Sequence, residues 1–247
     1  MRGTCESMNY LKNSGDLTSH LGGMLSPPNP VRRIPISTRS ITGNVDGQGF
    51  ESALERDLLM QLAWDEDVAW FVTQPVKIPY EFPRKRPRSY TPDVLVEFDS
   101  TLRNGRTPLL CEVKYRSELA KNWKELKRKF RAAQAYCRER NWRFVILDER
   151  SIRSIKLSNI QFLWRYRGTP YDKDLAIALL QILQLSGGMT MQACVDAACS
   201  ASVDLKRDQA IWTFWVLAAD RKTEFDIDTP IGINTLFHIR SVSDKNA

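Results

Sequence analysis

The 247-residue chain is poor in residues that build a zinc site or a disulfide framework: it has two histidines, His20 and His238, and five cysteines without a CxxC pair. The scattered set Cys5, Cys111, Cys137, Cys194 and Cys199 argues against a metal quartet at the usual ligand spacing. Cys194 and Cys199 lie in an apolar helical pattern and read as buried thiols of a reduced compartment. No uncharged apolar stretch approaches the ~18 residues of a membrane span, and the first thirty residues lack a secretory core and cleavage site. A soluble cytoplasmic protein without a membrane partner is expected. No internal repeat is visible. What is present is ordinary globular composition, 43% hydrophobic and 26% charged, which excludes collagenous, coiled-coil and wholly disordered classes. Lys plus Arg number 36 against 29 Asp plus Glu, a net charge of +7 that favours a polyanionic partner.

At ~150 residues per domain the length accommodates two compact units and a tail. Residues 1–45, with the run Ser26-Pro27-Pro28-Asn29-Pro30, read as a mobile arm, with order expected from about Phe50. From Glu51 to Asp65, Leu54, Leu58, Leu59 and Leu62 form one apolar helical stripe. Two short strands follow, divided by Gln74-Pro75, and then a basic loop, residues 84–88. Val94, Val96 and Phe98 alternate in one strand, and residues 109–115 form another, so the two are expected to pair as an antiparallel hairpin. A long basic helix, residues 117–140, and a buried strand, residues 142–147, complete an α/β unit spanning residues 46–166. Residues 167–247 change character: three helices, residues 174–185, 190–201 and 204–220, and a terminal β-ribbon predict a winged-helix-like, mainly α domain.

The informative stretch is the hairpin. Glu112 and Lys114 are two apart and share one strand face, and any connecting loop of even length puts Asp93 on that face. Val94, Val96, Phe98, Leu109, Cys111 and Val113 then form the opposite, core face. A two-residue Asn104-Gly105 turn would set Asp93 opposite Arg116. A four-residue loop, Leu102 to Gly105, sets it opposite Lys114 and leaves Glu112 on the diagonal, about 7 Å away. The longer loop is expected. Carboxylate and carbonyl oxygens are hard donors that select Mg²⁺, with Mn²⁺ able to substitute, and such a cation neutralises charge on a phosphodiester and acidifies a bound water. Asp93, Glu112 and the carbonyl of Val113 are the candidate ligands. Lys114 is expected either to orient the attacking water, to stabilise the transition state or to act as a base. Glu55, on the apolar stripe of the first helix, is the fourth candidate; Glu51 is its alternative. Glu97 is expected to be solvent-exposed.

Pro92-Asp93 followed by Glu112-Val113-Lys114 and preceded by a helical Glu resembles the PD-(D/E)xK nuclease superfamily, whose restriction-endonuclease-like fold is a mixed sheet flanked by helices. The fuller pattern Ser52-Ala53-Leu54-Glu55-Arg56-Asp57, Gln74-Pro75, Tyr90-Thr91-Pro92-Asp93 and Glu112-Val113-Lys114, with three helices beyond, resembles the TnsA family of transposon endonuclease subunits over roughly residues 45–240. The resemblance implies a bacterial, nucleoid-acting enzyme that hydrolyses the 5′ ends of a transposon in double-stranded DNA. It implies a TnsB-like transposase as partner, and a TnsC-like AAA+ regulator engaged by the C-terminal domain. It also implies that Glu55, Asp93 and Glu112 bind metal and that Lys114 is catalytic.

Two basic segments flank these residues in sequence. Arg84, Lys85, Arg86 and Arg88 precede the Asp93 strand, and Lys121, Lys124 and Arg128 share one side of the following helix. Both are expected to contact DNA phosphates. Trp123, Phe130 and Ala133 should face the sheet, and Trp212 and Trp215 should pack in the core of the C-terminal domain. Two rival readings are a stand-alone restriction or repair nuclease and a catalytically idle DNA-binding adaptor.

Overall fold

The computed structural model describes residues 26–32, 42–82, 86–99 and 106–240. By internal contacts the chain divides between Ile152 and Arg153, upstream of the 166/167 boundary expected from sequence. Structure also begins before Phe50: Gly43–Val45 (β1) and Gln48–Phe50 (β2) form an antiparallel ribbon turned by Asp46 and Gly47, both at positive φ.

Helix α1 (Ala53–Trp64) starts at Ser52, whose hydroxyl accepts from the Glu55 N–H, and buries Leu54, Leu58 and Leu59. A four-stranded mixed sheet follows, built from β3 (Val68–Thr73), β6 (Val94–Phe98), β7 (Leu109–Val113) and β8 (Arg143–Leu147) in that order. β3 and β6, and β6 and β7, run antiparallel; β7 and β8 are parallel, joined by the long helix α2 (Arg116–Glu139). β8 is an edge strand with Arg143 and Ile146 exposed, so it is half-buried rather than buried as expected.

The hairpin register is Val94 to Cys111, Leu95 to Leu110 and Val96 to Leu109. Continuing it sets Asp93 opposite Glu112, two residues short of the Lys114 pairing expected. Leu102 to Gly105, the expected loop, lie outside the described residues. The reason for the observed register is packing. Leu95 and Leu110 meet under Ala133 and Cys137 of α2, whereas the expected alignment would have set Leu95 against Glu112. Full burial of each leucine contributes about 1.5–3 kcal/mol, enough to choose between two alignments. The same packing corrects a second expectation. The Asp93 face is itself core for most of its length, and the opposite face, with Val94 and Val96, is buried too. Glu97, expected in solvent, is buried on the Asp93 face, paired across the ladder with Trp70.

Residues Ile78–Phe82 (β4) and Arg86–Tyr90 (β5) form a separate antiparallel ribbon packed on α2. Arg86 and Arg88 therefore belong to a strand, not to a loop, and Arg84 and Lys85 lie outside the described residues. On α2, Phe130 and Ala133 face the sheet as expected, but Trp123 is 47% exposed and only touches Phe130 edge-on at 6.1 Å. A one-turn helix α3 (Glu149–Ile152) ends this unit.

The second unit holds α4 (Ile155–Trp164), absent from the sequence expectation, then α5 (Lys173–Ser186), β9 (Met189–Thr190), α6 (Met191–Ala201), α7 (Arg207–Ala219), β10 (Thr223–Glu224) and β11 (Leu236–Ile239). The strands make an antiparallel sheet in the order β10, β11, β9. The expected terminal β-ribbon is short: after β10 the chain is irregular until the last strand starts at Leu236. Gly187, at φ 70, ends α5 in the left-handed conformation, and the Thr190 hydroxyl caps α6. Phe214, Phe237 and Trp215 fill the core, while Trp212, expected inside, is 44% exposed. No helix among the described residues is long and apolar enough to cross a membrane.

Candidate active site

Pro92 has no N–H to offer a ladder, so Asp93 is the first residue at the head of β6 able to bond both neighbours. Its N–H donates to the Cys111 carbonyl at 3.1 Å, and its own carbonyl accepts from the Gln74 N–H at 2.8 Å. The main chain is thereby held between β3 and β7. The side chain reaches across: Asp93 Oδ2 accepts from the Val113 N–H at 2.7 Å.

Lys114 follows β7, its N–H donating to the Leu147 carbonyl at 3.1 Å. Its ammonium is surrounded by three oxygens, Val113 O at 3.0 Å, Glu112 Oε1 at 3.1 Å and Asp93 Oδ2 at 3.4 Å. These three residues are the candidate ligands expected from sequence. Glu112 is 2% exposed, and its second oxygen, Oε2, accepts from the Tyr90 hydroxyl at 2.5 Å. Tyr90 is the residue whose role sequence reasoning missed. It sits three positions before Asp93, but nothing in its own identity says that its hydroxyl crosses to Glu112. Its ring contacts Phe130 of α2 edge-on at 6.5 Å, which fixes where that hydroxyl lies.

The electrostatics follow from crowding two carboxylates and one ammonium into a mostly dry site. Burial first, then the charge of Asp93, pushes Glu112 up to about 8, against the pull of Lys114 and the Tyr90 hydroxyl. Burial also raises Asp93, opposed by Lys114 and by the Val113 N–H. Burial works against the Lys114 charge, but Asp93 and Glu112 together outweigh it and hold the ammonium above the usual lysine range. The Tyr90 hydroxyl is driven up by burial and by Glu112, so it stays a donor. Cys111, pushed up to about 12 by burial, is an inert thiol.

Glu55 takes a different place from the other three. Its Oε1 accepts from the Ser52 hydroxyl at 3.0 Å and its Oε2 from the Glu51 N–H at 2.9 Å, a variant of the capping box closed on the residue before the cap. Burial and then the Asp93 charge raise it, while Lys114 lowers it, so the carboxyl lies within electrostatic reach of the cluster without a direct bond to it. Glu51, the alternative, pairs with Arg32 at 2.6 Å.

Among the described residues, no group of three or more His, Cys, Asp and Glu side chains is arranged to hold a metal ion. What the site offers is two carboxylates and one main-chain carbonyl that already converge on a single cationic nitrogen. Hard oxygens converging on one positive charge are the donor chemistry Mg²⁺ or Mn²⁺ takes, so the residues fit such an ion. Of the basic residues, Lys121, Lys124, Arg128 and Arg88 are exposed. The side chain of Arg86 lies outside the described set.

Residues 65–149 match the family model for the TnsA-like endonuclease N terminal. The matched segment runs from the end of α1 through β8 and takes in Asp93, Glu112 and Lys114, while Glu55 and the second unit lie outside it. The match supports a nuclease domain of the transposon-endonuclease type across that segment. No curated protein matches the chain.

Proposed function

We propose that the chain is a metal-dependent DNA endonuclease subunit of a heteromeric cut-and-paste transposase, hydrolysing phosphodiester bonds at the 5′ ends of the transposon. The observation that carries this reading is the Lys114 ammonium ringed by Asp93, Glu112 and the Val113 carbonyl inside the segment of TnsA-like similarity. Asp93, Glu112 and Val113 O would hold Mg²⁺ or Mn²⁺. A bound ion of that kind neutralises charge on the phosphate and acidifies a water.

The protein's own residues supply the rest. Lys114 keeps the two carboxylates paired before the ion arrives. With an ion held by those oxygens, its flexible stem would let the ammonium face the phosphate, where it would stabilise negative charge. Glu55 is the third carboxylate of the set. It would have to leave its bonds to Ser52 and Glu51 to reach an ion held by the other two. Tyr90 keeps Glu112 oriented throughout. Arg84, Lys85, Arg86 and Arg88, with exposed Lys121, Lys124 and Arg128 of α2, contact the DNA phosphates.

The second unit, four helices with a small antiparallel sheet, is a winged-helix-like module that engages a TnsC-like AAA+ regulator, while a TnsB-like transposase cuts the 3′ ends. The test is strand cleavage of transposon-end DNA by the full chain with Mg²⁺, with and without transposase and regulator. Nicking at the 5′ ends that needs both partners, and that Asp93→Ala removes while DNA binding persists, is the expected outcome. Robust cutting by the chain alone would favour a stand-alone restriction or repair nuclease. Wild-type function in Asp93→Ala would favour an idle DNA-binding adaptor.

A further inference from the structure

Gln74 carries three oddities at once. It is a non-glycine residue in the left-handed region, at φ 51. It is 6% exposed, yet its amide oxygen Oε1 has no hydrogen-bond partner. It also lies at the site: β3 pairs Thr73 with Val94, so the next position brings Gln74 to Asp93, and its N–H donates to the Asp93 carbonyl at 2.8 Å. Its own carbonyl accepts from the Val31 N–H at 3.0 Å, which fixes the residue from a second side. Register thus runs Gln74, Asp93 and Glu112 across three neighbouring strands. Left-handed backbone in a residue with a side chain, and a buried acceptor without a donor, are both costs the fold accepts where a function needs them.

We infer that Gln74 belongs to the cation site as a positioning residue, its amide oxygen accepting a hydrogen bond from the water shell of the divalent ion held by Asp93 and Glu112. This rests on the metal-dependent reading above. Mg²⁺ and Mn²⁺ keep several waters when bound by few carboxylates, and those waters are donors. An amide oxygen is the matching acceptor: it orients a water without adding charge beside two carboxylates that burial already penalises.

Mn²⁺ titration of the full chain without DNA, read by the electron paramagnetic resonance signal of free Mn²⁺, separates this from catalysis. Gln74→Ala should weaken Mn²⁺ binding about tenfold, the lower end of the effect of removing an outer partner of a metal site. Its metal-free melting temperature should not fall, because the lost acceptor had no protein donor. Gln74→Gly, relieved of the left-handed strain, should show the same loss of Mn²⁺ affinity and melt at or above wild type. Asp93→Asn is the control and should lose Mn²⁺ binding altogether. Wild-type Mn²⁺ affinity in both Gln74 variants, whether or not they melt lower, overturns the Gln74 assignment while Asp93→Asn still fails. Wild-type affinity in Asp93→Asn overturns the metal reading beneath it.

Discussion

Glu112 and Asn159 are polar side chains buried almost completely, one in each unit, and the fold treats them differently. Asn159 is satisfied on every side: its amide nitrogen donates to the Ile227 carbonyl at 2.8 Å and the Thr229 carbonyl at 2.7 Å, and its oxygen accepts from the Ile231 N–H at 3.2 Å. It nails an irregular loop to α4. Glu112 is an ionisable group taken out of water beside another carboxylate, its charged form stabilised by Lys114 and Tyr90. Among the described residues, the buried carboxylates Asp57, Glu97 and Glu112 all belong to the first unit, and the buried polar groups of the second, Asn159, Thr213 and Thr223, are uncharged. Buried charge destabilises unless it is paired, and it is retained where chemistry needs it. The contrast supports the proposed reading of the first unit as the reactive one.

The largest test of that contrast removes the ammonium. In the metal-free protein, Lys114→Ala leaves Asp93 and Glu112 buried without a cation, and should cost about 3–5 kcal/mol in urea unfolding at alkaline pH. The sign with pH follows from Glu112. Its folded value, about 8, lies above that of the unfolded chain, so the folded state holds the extra proton between the ordinary carboxylate range and about 8. That contribution is full below the ordinary range and is lost as pH rises through 8. The Lys114→Ala penalty should therefore shrink on acidification, and an equal penalty at pH 5 and pH 9 would break the argument. On the proposed metal-dependent reading, Mn²⁺ affinity should likewise rise with pH, because the ion would displace that proton.

A smaller effect is expected in the second unit. Asn159→Ala strands the carbonyls of Ile227 and Thr229 and the N–H of Ile231, and should cost about 1–3 kcal/mol with no dependence on Mn²⁺. A loss of Mn²⁺ affinity in that variant would blur the division of labour between the units. Smallest of all, Ser52→Ala should cost α1 about 1 kcal/mol of capping, measured by thermal melting. It should also release one hydrogen bond on Glu55, so a modest gain in Mn²⁺ affinity would sharpen the view that this carboxylate leaves its cap for the ion.

Much of the site was legible because it depends on parity. Glu112 and Lys114 must share a strand face whatever the fold does, and an even-length connection carries Asp93 to the same face. The apolar stripe of α1 was equally legible, but its start was set two residues early, at Glu51, because the cap at Ser52 was not read from the sequence. Register was not legible, because it was chosen by Leu95 meeting Leu110 beneath α2, a contact between residues fifteen apart and a helix still further along the chain. Exposure was misjudged for the same reason. Glu97, Trp123 and Trp212 have periodicities that point one way, but what covers a side chain is decided by elements distant in sequence. Tyr90 and Gln74 belong with these: their contributions come from bonds across strands that no local pattern encodes.

The sequence by itself determined which side chains can act together, because strand alternation and helical periodicity are properties of a backbone with two soft dihedrals per residue. Only the tertiary structure decided how far they are from one another, which of them are dry and which oxygens meet the ammonium. Those depend on close packing of whole elements, where one leucine pair can shift a ladder by two residues and change every electrostatic neighbour along it.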